Sequence, residues 1–163
     1  MKKEFLDKIN RLPQESIVYI DESGFDTKNI REYGYSKKGA RIYAQKSGNR
    51  KQHKRISVIA GFVNRSTLIA PCYLNCYTDT TVFNTWVTQA LLPELKPGST
   101  IVLDNASFHK NKNTRELIES RGFSILYLPP YSPDLNPIEK KWSHVKRLIK
   151  KIREKFESFT DCF

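Results

Sequence analysis

Residues 128–139 read LPPYSPDLNPIE, a proline-rich link between two regular patterns. Before the link, residues 123–128 form a short apolar run that is typical of a buried strand. After it, apolar residues recur at steps of three and four, which predicts a long amphipathic helix containing Ile138, Trp142, Val145, Ile149, Ile152 and Phe156. A strand, a rigid loop and a helix therefore place one acid, Glu139, near the start of that helix.

Two further apolar runs lead into aspartates. Residues 16–20 precede Asp21, and residues 100–103 precede Asp104. Short runs rich in β-branched residues predict buried strands, and we expect each strand to end at its acid. An acid at a strand end is often only a turn or cap residue, so the pair of acids carries more weight than either one alone.

The rest of the chain supplies the other elements of one domain. Gly122 is placed to end the polar helix that precedes the strand before the link. The predicted elements are a lead-in helix within residues 1–15 that ends at Leu12-Pro13, strands at 56–63 and 66–70 joined by a turn at Asn64-Arg65, a helix from about Thr80 to Leu92 capped near Asp79, and a helix at about 111–120. Strands followed by alternating helices and strands predict a mixed α/β sheet with helices on its faces.

The composition favours a soluble protein that acts inside the cell. The chain has 163 residues, and no apolar run approaches the roughly 20 residues that cross a bilayer. Lys and Arg number 28 against 17 Asp and Glu, a net charge of +11 that favours a polyanionic partner, nucleic acid before a membrane surface. Three cysteines, an odd number, predict no disulfide framework.

Three carboxylates from distant parts of the chain suit metal-dependent chemistry at phosphorus. A hard cation such as Mg²⁺ prefers carboxylate oxygens and keeps positions open for water and phosphate. Two ions about 4 Å apart can activate an attacking oxygen and stabilise the leaving one. Asp21, Asp104 and Glu139 are the candidate ligands, because one carboxylate of three can bridge two ions.

Three segments carry a resemblance to a known family. They read YIDESGF at 19–25, LDNASFH at 103–109 and LPPYSPDLNPIEKKW at 128–142. In this order they resemble the signature blocks of the mariner superfamily of transposases, and most closely those of its bacterial insertion-sequence branch. The 34 residues between Asp104 and Glu139 match the spacing of the Asp-Asp-Glu pattern of that branch.

The resemblance implies a ribonuclease H-like fold, a five-stranded mixed sheet with helices on both faces. It implies that Asp21 and Asp104 hold Mg²⁺, or Mn²⁺ as a substitute, and that Glu139 completes the shell of the second ion. Water would cleave DNA at the ends of the element, and the freed 3′-hydroxyl would attack target DNA. Asn105 and His109 match positions near the metals, although His109 can also be read as a plain helix-start residue.

The resemblance also implies partners and a setting. The substrate would be double-stranded DNA, both element ends and target, bound by a homodimer in a bacterial cytoplasm at the nucleoid. Full-length relatives carry helix-turn-helix modules ahead of the catalytic domain, whereas only about 15 residues precede the first strand here. We therefore expect a single catalytic domain over 1–163, which is either an isolated catalytic fragment or the second reading frame of a split element; in the second case a separate polypeptide would recognise the element ends.

Two groups of basic residues are candidates for DNA contact. Lys146, Arg147 and Lys150 follow Glu139 along the last helix, where they could track a phosphate backbone or simply form a solvated face. The second group falls where the family has a hairpin beside the active site, and it comprises Lys37, Lys38, Arg41, Arg50, Lys51 and Lys54. Trp86 and Trp142 lie on apolar helix faces, which favours a core position over base stacking.

Two other functions stay open at this point. The chain could be a nuclease of the same fold that hydrolyses without strand transfer, although the YSPDLNPIE block argues against it. It could also be a decayed copy that binds DNA without catalysis, against which the three intact acids argue.

Overall fold

The computed structural model describes residues 1–26, 38, 55–74, 78–107 and 109–152. Its strands are β1 (Ile17–Asp26), β2 (Arg55–Val63), β3 (Thr67–Leu74), β4 (Thr100–Leu103) and β5 (Ser124–Tyr127). Its helices are α1 (Lys2–Ile9), α2 (Thr80–Trp86), α3 (Leu92–Glu94), α4 (Lys112–Glu119) and α5 (Ile138–Ile152). Short 3₁₀ turns at Gln14–Ser16 and Pro133–Leu135 and a π-helical turn at Val87–Leu91 complete the structure.

The five strands form one sheet in the order β3-β2-β1-β4-β5. The β1–β2 and β2–β3 pairs are antiparallel, whereas β4 pairs parallel with both β1 and β5. Helices follow β3 and β4 in the chain and connect each of them to the next strand, as crossover connections to parallel strands require. The mixed α/β sheet expected from the sequence is confirmed.

Alternating side chains divide the core between the two faces of the sheet. Ile17 and Tyr19 of β1 pack on one face with Phe5 of α1 and Trp142 of α5. The opposite face holds a second cluster that includes Val18, Ile20, Phe83, Trp86, Leu91, Ile101 and Ile118. Both tryptophans are core residues, 5% and 2% exposed for Trp86 and Trp142, as their apolar helix faces predict.

The first strand is longer than the sequence indicates. We expected it to end at Asp21, but β1 continues to Asp26, because β2 pairs with it as far as the Asp26–Arg55 register. The apolar run of β1 stops at Ile20 because the parallel strand β4 pairs with β1 only as far as Tyr19 and Val102. Asp21 is thus an interior residue of β1 that lies beyond the end of its parallel neighbour.

The expected turn at Asn64-Arg65 is present and joins β2 to β3. Both residues have positive φ, 52° and 51°, the left-handed conformation that two-residue hairpin turns favour. Earlier in β2, the strand bulges between Ile59 and Gly61. A Cβ on Gly61 would lie 2.9 Å from Ile69 Cγ1 and 3.0 Å from Leu91 Cδ1, so only glycine fits there without displacement.

The helices largely follow their capping signals, with two changes of boundary. Asp79 caps α2 by accepting a hydrogen bond from Val82 N at 2.8 Å. The predicted helix then passes through a π-helical turn and continues to Glu94 instead of stopping before Pro93. Pro93 is tolerated because it lies in the first turn of α3, where the amide hydrogen that proline lacks would have no hydrogen-bond partner. The lead-in helix α1 ends at Ile9 rather than Leu12.

Within the described ranges, none of the helices combines the length and the apolar character that crossing a membrane would require.

Candidate active site

The register of two parallel strands aligns the two candidate aspartates. Tyr19 of β1 pairs with Val102 of β4. Asp21 follows Tyr19 by two residues and Asp104 follows Val102 by two residues, so both acids fall at the same level beyond the ladder. Because side chains alternate along a strand, Asp21 shares the face of Tyr19, which is the face that packs against α5.

The third acid reaches this place from the proline-rich loop. Glu139 lies in the first turn of α5, and its amide donates to Asn136 O at 3.2 Å. The buried neighbours Ile138 and Trp142 fix α5 against the sheet. Asp21, Asp104 and Glu139 then line one cavity of about 460 Å³, which opens beneath the loop.

Burial and mutual repulsion hold a proton on one of the acids. The pKa of Asp21 is raised to about 7, first by burial and then by the negative charges of Glu139 and Asp104. The indole N–H of Trp142 acts in the opposite direction and lowers this pKa slightly, although it makes no hydrogen bond of good geometry among the described residues. A positive charge in the cavity would relieve the repulsion.

Asp104 is held in its ionised form by a buried histidine. Nδ1 of His109 lies 2.6 Å from Asp104 Oδ1, which also accepts a hydrogen bond from Ala106 N at 2.9 Å. The bond from His109 is the main reason that the pKa of Asp104 falls below its usual range. Because an ionised carboxylate can only accept, Nδ1 of His109 is the protonated ring nitrogen. His109 is 4% exposed and packs on Phe83 at 4.5 Å between ring centroids.

Asn105 and His109 both take part in fixing the strand ends around the cavity. Asn105 lines the cavity and donates from Nδ2 to Leu128 O at 2.5 Å, which ties the end of β4 to the end of β5. Tyr127 donates from its hydroxyl to His109 O at 2.9 Å. The two residues that the sequence placed near the acids thus contact or adjoin them.

Sequence reasoning missed two further residues of this cavity, Tyr131 and Asn136. Tyr131 lies in the loop and is 99% exposed. Asn136 is 4% exposed, and its Oδ1 has no hydrogen-bond partner among the described residues. Tyr131 and Asn136 lie inside the proline-rich segment, eight and three residues before Glu139 respectively, so proximity in sequence was the available signal.

The donors present suit a hard divalent cation. All three acids offer carboxylate oxygens, which are the ligands that Mg²⁺ and Mn²⁺ accept. Within the described ranges, no three His, Cys, Asp or Glu side chains close around a single ion position. The grouping of three carboxylates around one cavity favours a cation, because a shared positive charge would stabilise all three ionised forms.

The basic residues proposed for DNA contact divide between described and undescribed parts of the chain. Lys146, Arg147 and Lys150 are exposed on α5. Lys146 Nζ lies 5.5 Å from the ring centroid of Phe25, and Arg147 Nη2 bonds His144 Nδ1 at 2.9 Å. Lys38 is exposed in a turn, whereas Lys37, Arg41, Arg50, Lys51 and Lys54 lie outside the described residues.

Comparison with known sequences identifies the family of this chain and relatives that match part of it. Residues 16–162 match the family model described as DDE superfamily endonuclease. The Tcb2 transposable-element transposase of Caenorhabditis briggsae is 38% identical over 65 residues, which is 37% of this chain and 24% of that protein. The chain thus spans about a quarter of the length of this curated relative.

Comparison with solved structures identifies the fold. The Mos1 transposase paired-end complex with left transposon end superposes with a TM-score of 0.71 and 19% identity, over 87% of this chain and 45% of that chain. The mariner Mos1 paired-end complex with Mg gives 0.70 and 21%, over 88% and 46%. These likenesses confirm the ribonuclease H-like fold that the sequence motifs imply.

Proposed function

The chain belongs to the DDE superfamily of endonucleases, and on that premise we propose that it is the catalytic domain of a DNA transposase. It would hydrolyse phosphodiester bonds at the ends of a mobile element and join the freed 3′-hydroxyl to target DNA. The observation that carries this proposal is the lining of one cavity by Asp21, Asp104 and Glu139, contributed by β1, β4 and α5.

Each acid has a distinct role in this proposal. Asp21 and Asp104 would hold the divalent cations, and Glu139 would complete the set of carboxylate ligands. Asp104 is already ionised, whereas Asp21 must release the proton that its pKa of about 7 retains. Two Mg²⁺ ions, or Mn²⁺ in their place, would activate the attacking oxygen and stabilise the leaving one.

His109 and Asn105 are positioning residues in the same proposal. The His109 bond fixes the Asp104 carboxylate by its Oδ1, and the packing of the imidazole on Phe83 fixes the imidazole in turn. Partners of this kind set the orientation of metal-binding groups. Asn105 keeps the ends of β4 and β5 together and so keeps Asp104 at the rim of the cavity.

The substrate proposed is double-stranded DNA, both element ends and target, met in a bacterial cytoplasm at the nucleoid. The net charge of +11 and the exposed row Lys146, Arg147 and Lys150 on α5 support it. We further propose a homodimer on DNA. The chain would act as one domain, because Phe5 of α1 and Trp142 of α5 share a core cluster.

The proposal is tested by cleavage of labelled element-end DNA with Mg²⁺ or Mn²⁺. Asp104→Asn keeps the size of the side chain and removes its charge, so we expect a loss of at least about a hundredfold in rate. The control is Asp134→Asn, an exposed acid of the same loop that pairs with Lys2 and does not line the cavity. Equal cleavage by the wild type and Asp104→Asn would refute the assignment of the site.

A second assay separates strand transfer from plain hydrolysis. A precleaved end with a free 3′-hydroxyl is mixed with target DNA, and the joined product is measured. Joining that requires Asp104 supports a transposase, whereas hydrolysis without joined product supports a nuclease of the same fold. Because a precleaved end needs no first cleavage, this substrate measures the joining step by itself.

A further inference from the structure

Tyr131 stands at the rim of the carboxylate cavity with its side chain in solvent. It is 99% exposed, and it lines the same cavity as Asp21, Asp104 and Glu139. A large side chain that is exposed to this degree adds nothing to the stability of the fold, because none of its apolar surface is removed from water. The ring is therefore available to a partner that enters the cavity.

The backbone of Tyr131 adds a cost to this exposure. Its φ is 52°, in the left-handed region that is unfavourable for a residue with a Cβ relative to glycine. The hairpin turn explains the same conformation at Asn64 and Arg65. For Ala70, the hydrogen bonds from Ala70 N to Glu94 Oε2 and from Trp86 Nε1 to Ala70 O hold the conformation in place.

The neighbours of Tyr131 fix the loop so that the conformation persists. Ser132 is 4% exposed and donates from Oγ to Pro130 O at 3.0 Å. On the other side, Leu128 N bonds Leu103 O at 2.8 Å, which joins the start of the loop to β4. A fully exposed aromatic ring is thus carried on a rigid, strained support beside the acids. Backbone strain is concentrated at functional sites, and the strained residue Tyr131 lies next to the carboxylate cavity.

From this geometry we propose that Tyr131 stacks on an unpaired nucleobase next to the phosphodiester that enters the cavity. The inference rests on the proposed function and adds to it a contact with a base. A phosphodiester that reaches the carboxylates brings its flanking nucleotide to the rim, where Tyr131 is. Stacking on an aromatic ring suits any base, because every base has a flat face. A base is free to stack when it is unpaired at a strand end or turned out of the duplex.

The experiment compares Tyr131→Phe, which keeps the ring, with Tyr131→Ala, which removes it. The probe is a DNA duplex with a short single-stranded overhang whose first overhanging base is 2-aminopurine, a base that loses fluorescence on stacking. We expect quenching by the wild type and by Tyr131→Phe. Tyr131→Ala should lose the quenching and bind the overhang duplex about tenfold more weakly, while binding a blunt duplex as the wild type does.

Two controls exclude a general effect on folding or on the surface. Tyr73, on β3 outside the cavity lining and 52% exposed, is changed to alanine and should leave quenching and affinity unaltered. The melting temperature of Tyr131→Ala should equal that of the wild type, and that of Tyr131→Gly should rise, since glycine relieves the left-handed strain.

The outcomes distinguish failure of this inference from failure of the proposed function. Quenching and affinity unchanged in Tyr131→Ala would overturn the inference alone. If Tyr131→Ala changes only the self-association of the chain, measured without DNA, the ring contacts protein and not a base, and this result would also overturn the inference. If the wild type binds neither DNA, the proposed function fails and the inference fails with it.

Discussion

His109 Nδ1 lies 2.6 Å from Asp104 Oδ1, and the imidazole is packed on the opposite side by Phe83. The bond joins a residue of the turn after β4 to the acid that begins this turn. It keeps Asp104 ionised and limits its rotation, so the acid is prepared for a cation before any cation arrives.

Replacing His109 should impair catalysis through Asp104. In His109→Ala the carboxylate loses its main stabilising donor, so the pKa of Asp104 rises towards its ordinary value. We expect the cleavage rate to fall about ten- to a hundredfold, the usual effect of removing a partner of a metal-binding group. The rate is measured over a titration of Mn²⁺, because a positioning role predicts that saturating metal restores part of the rate.

Asn111→Ala provides the matched control for His109. Asn111 caps α4 through Asn113 N at 2.9 Å and does not line the cavity, so its loss should cost stability and leave metal dependence unchanged. If His109→Ala were to lower the melting temperature without altering the metal titration, the role of His109 would be structural only.

Stability should depend on pH through Asp21. The folded chain retains a proton on Asp21 up to about pH 7, whereas the unfolded chain loses it near the ordinary aspartate pKa of 3.8. The folded state therefore binds more protons between these values, and stability falls as pH rises from about 4 to about 7. Asp21→Asn removes this dependence and should be more stable than the wild type above pH 7, by at most about 4 kcal/mol.

Denaturant unfolding between pH 4 and pH 8, in the presence of a chelator, measures this effect. Asp134→Asn changes an exposed acid and should keep the slope of the wild type. A wild type whose stability rises through the same window would show that Asp21 is not the dominant group.

Asn136→Leu should stabilise the metal-free protein. Its buried Oδ1 lacks a donor among the described residues, and a buried acceptor without a partner costs about 1–3 kcal/mol. Leucine has a similar volume and no polar atom, so we expect the free energy of unfolding to increase by about 1 kcal/mol. Denaturant unfolding measures it, and a decrease of the same size would mean that the amide makes contacts needed for the start of α5.

Gly61→Ala should destabilise the sheet. The added methyl group would lie 2.9 Å from Ile69 and 3.0 Å from Leu91, both packed side chains, so β2 or the π-helical turn must shift. Overpacking of this kind costs about 1–3 kcal/mol. The melting temperature should fall by about 2–4 °C for each kcal/mol in a chain of this size. The double variant Gly61→Ala with Leu91→Val tests whether overpacking is the cause, because the smaller valine side chain should restore part of the lost stability.

The sequence was sufficient for the elements that carry the acids. The apolar runs before Asp21 and Asp104 and the helical period after Glu139 are local signals, and the structure has β1, β4 and α5 there. The alignment of Asp21 with Asp104 was beyond sequence reasoning, because it depends on the register between strands whose paired residues lie 83 positions apart in the sequence.

Other features were missed because they depend on tertiary contacts. The extension of β1 to Asp26 is set by pairing with β2 and not by its own apolar pattern. Tyr131 and Asn136 belong to no periodic pattern, so only the folded loop identifies the exposed ring and the buried amide. The assignment of Asp21, Asp104 and Glu139 to metal binding stays a prediction, as do the DNA contacts.

Helix α1 has a practical consequence for anyone who shortens this protein. The family match starts at residue 16, yet Phe5 and Ile9 of α1 are buried against Tyr19 and Phe62 of the sheet. Trimming to the matched residues would leave those sheet residues bare and remove the Lys2 partner of Asp134 in the acid-bearing loop. The region of family similarity is therefore smaller than the packed core, and a protein trimmed at residue 16 should expose Tyr19 and Phe62 and lose solubility.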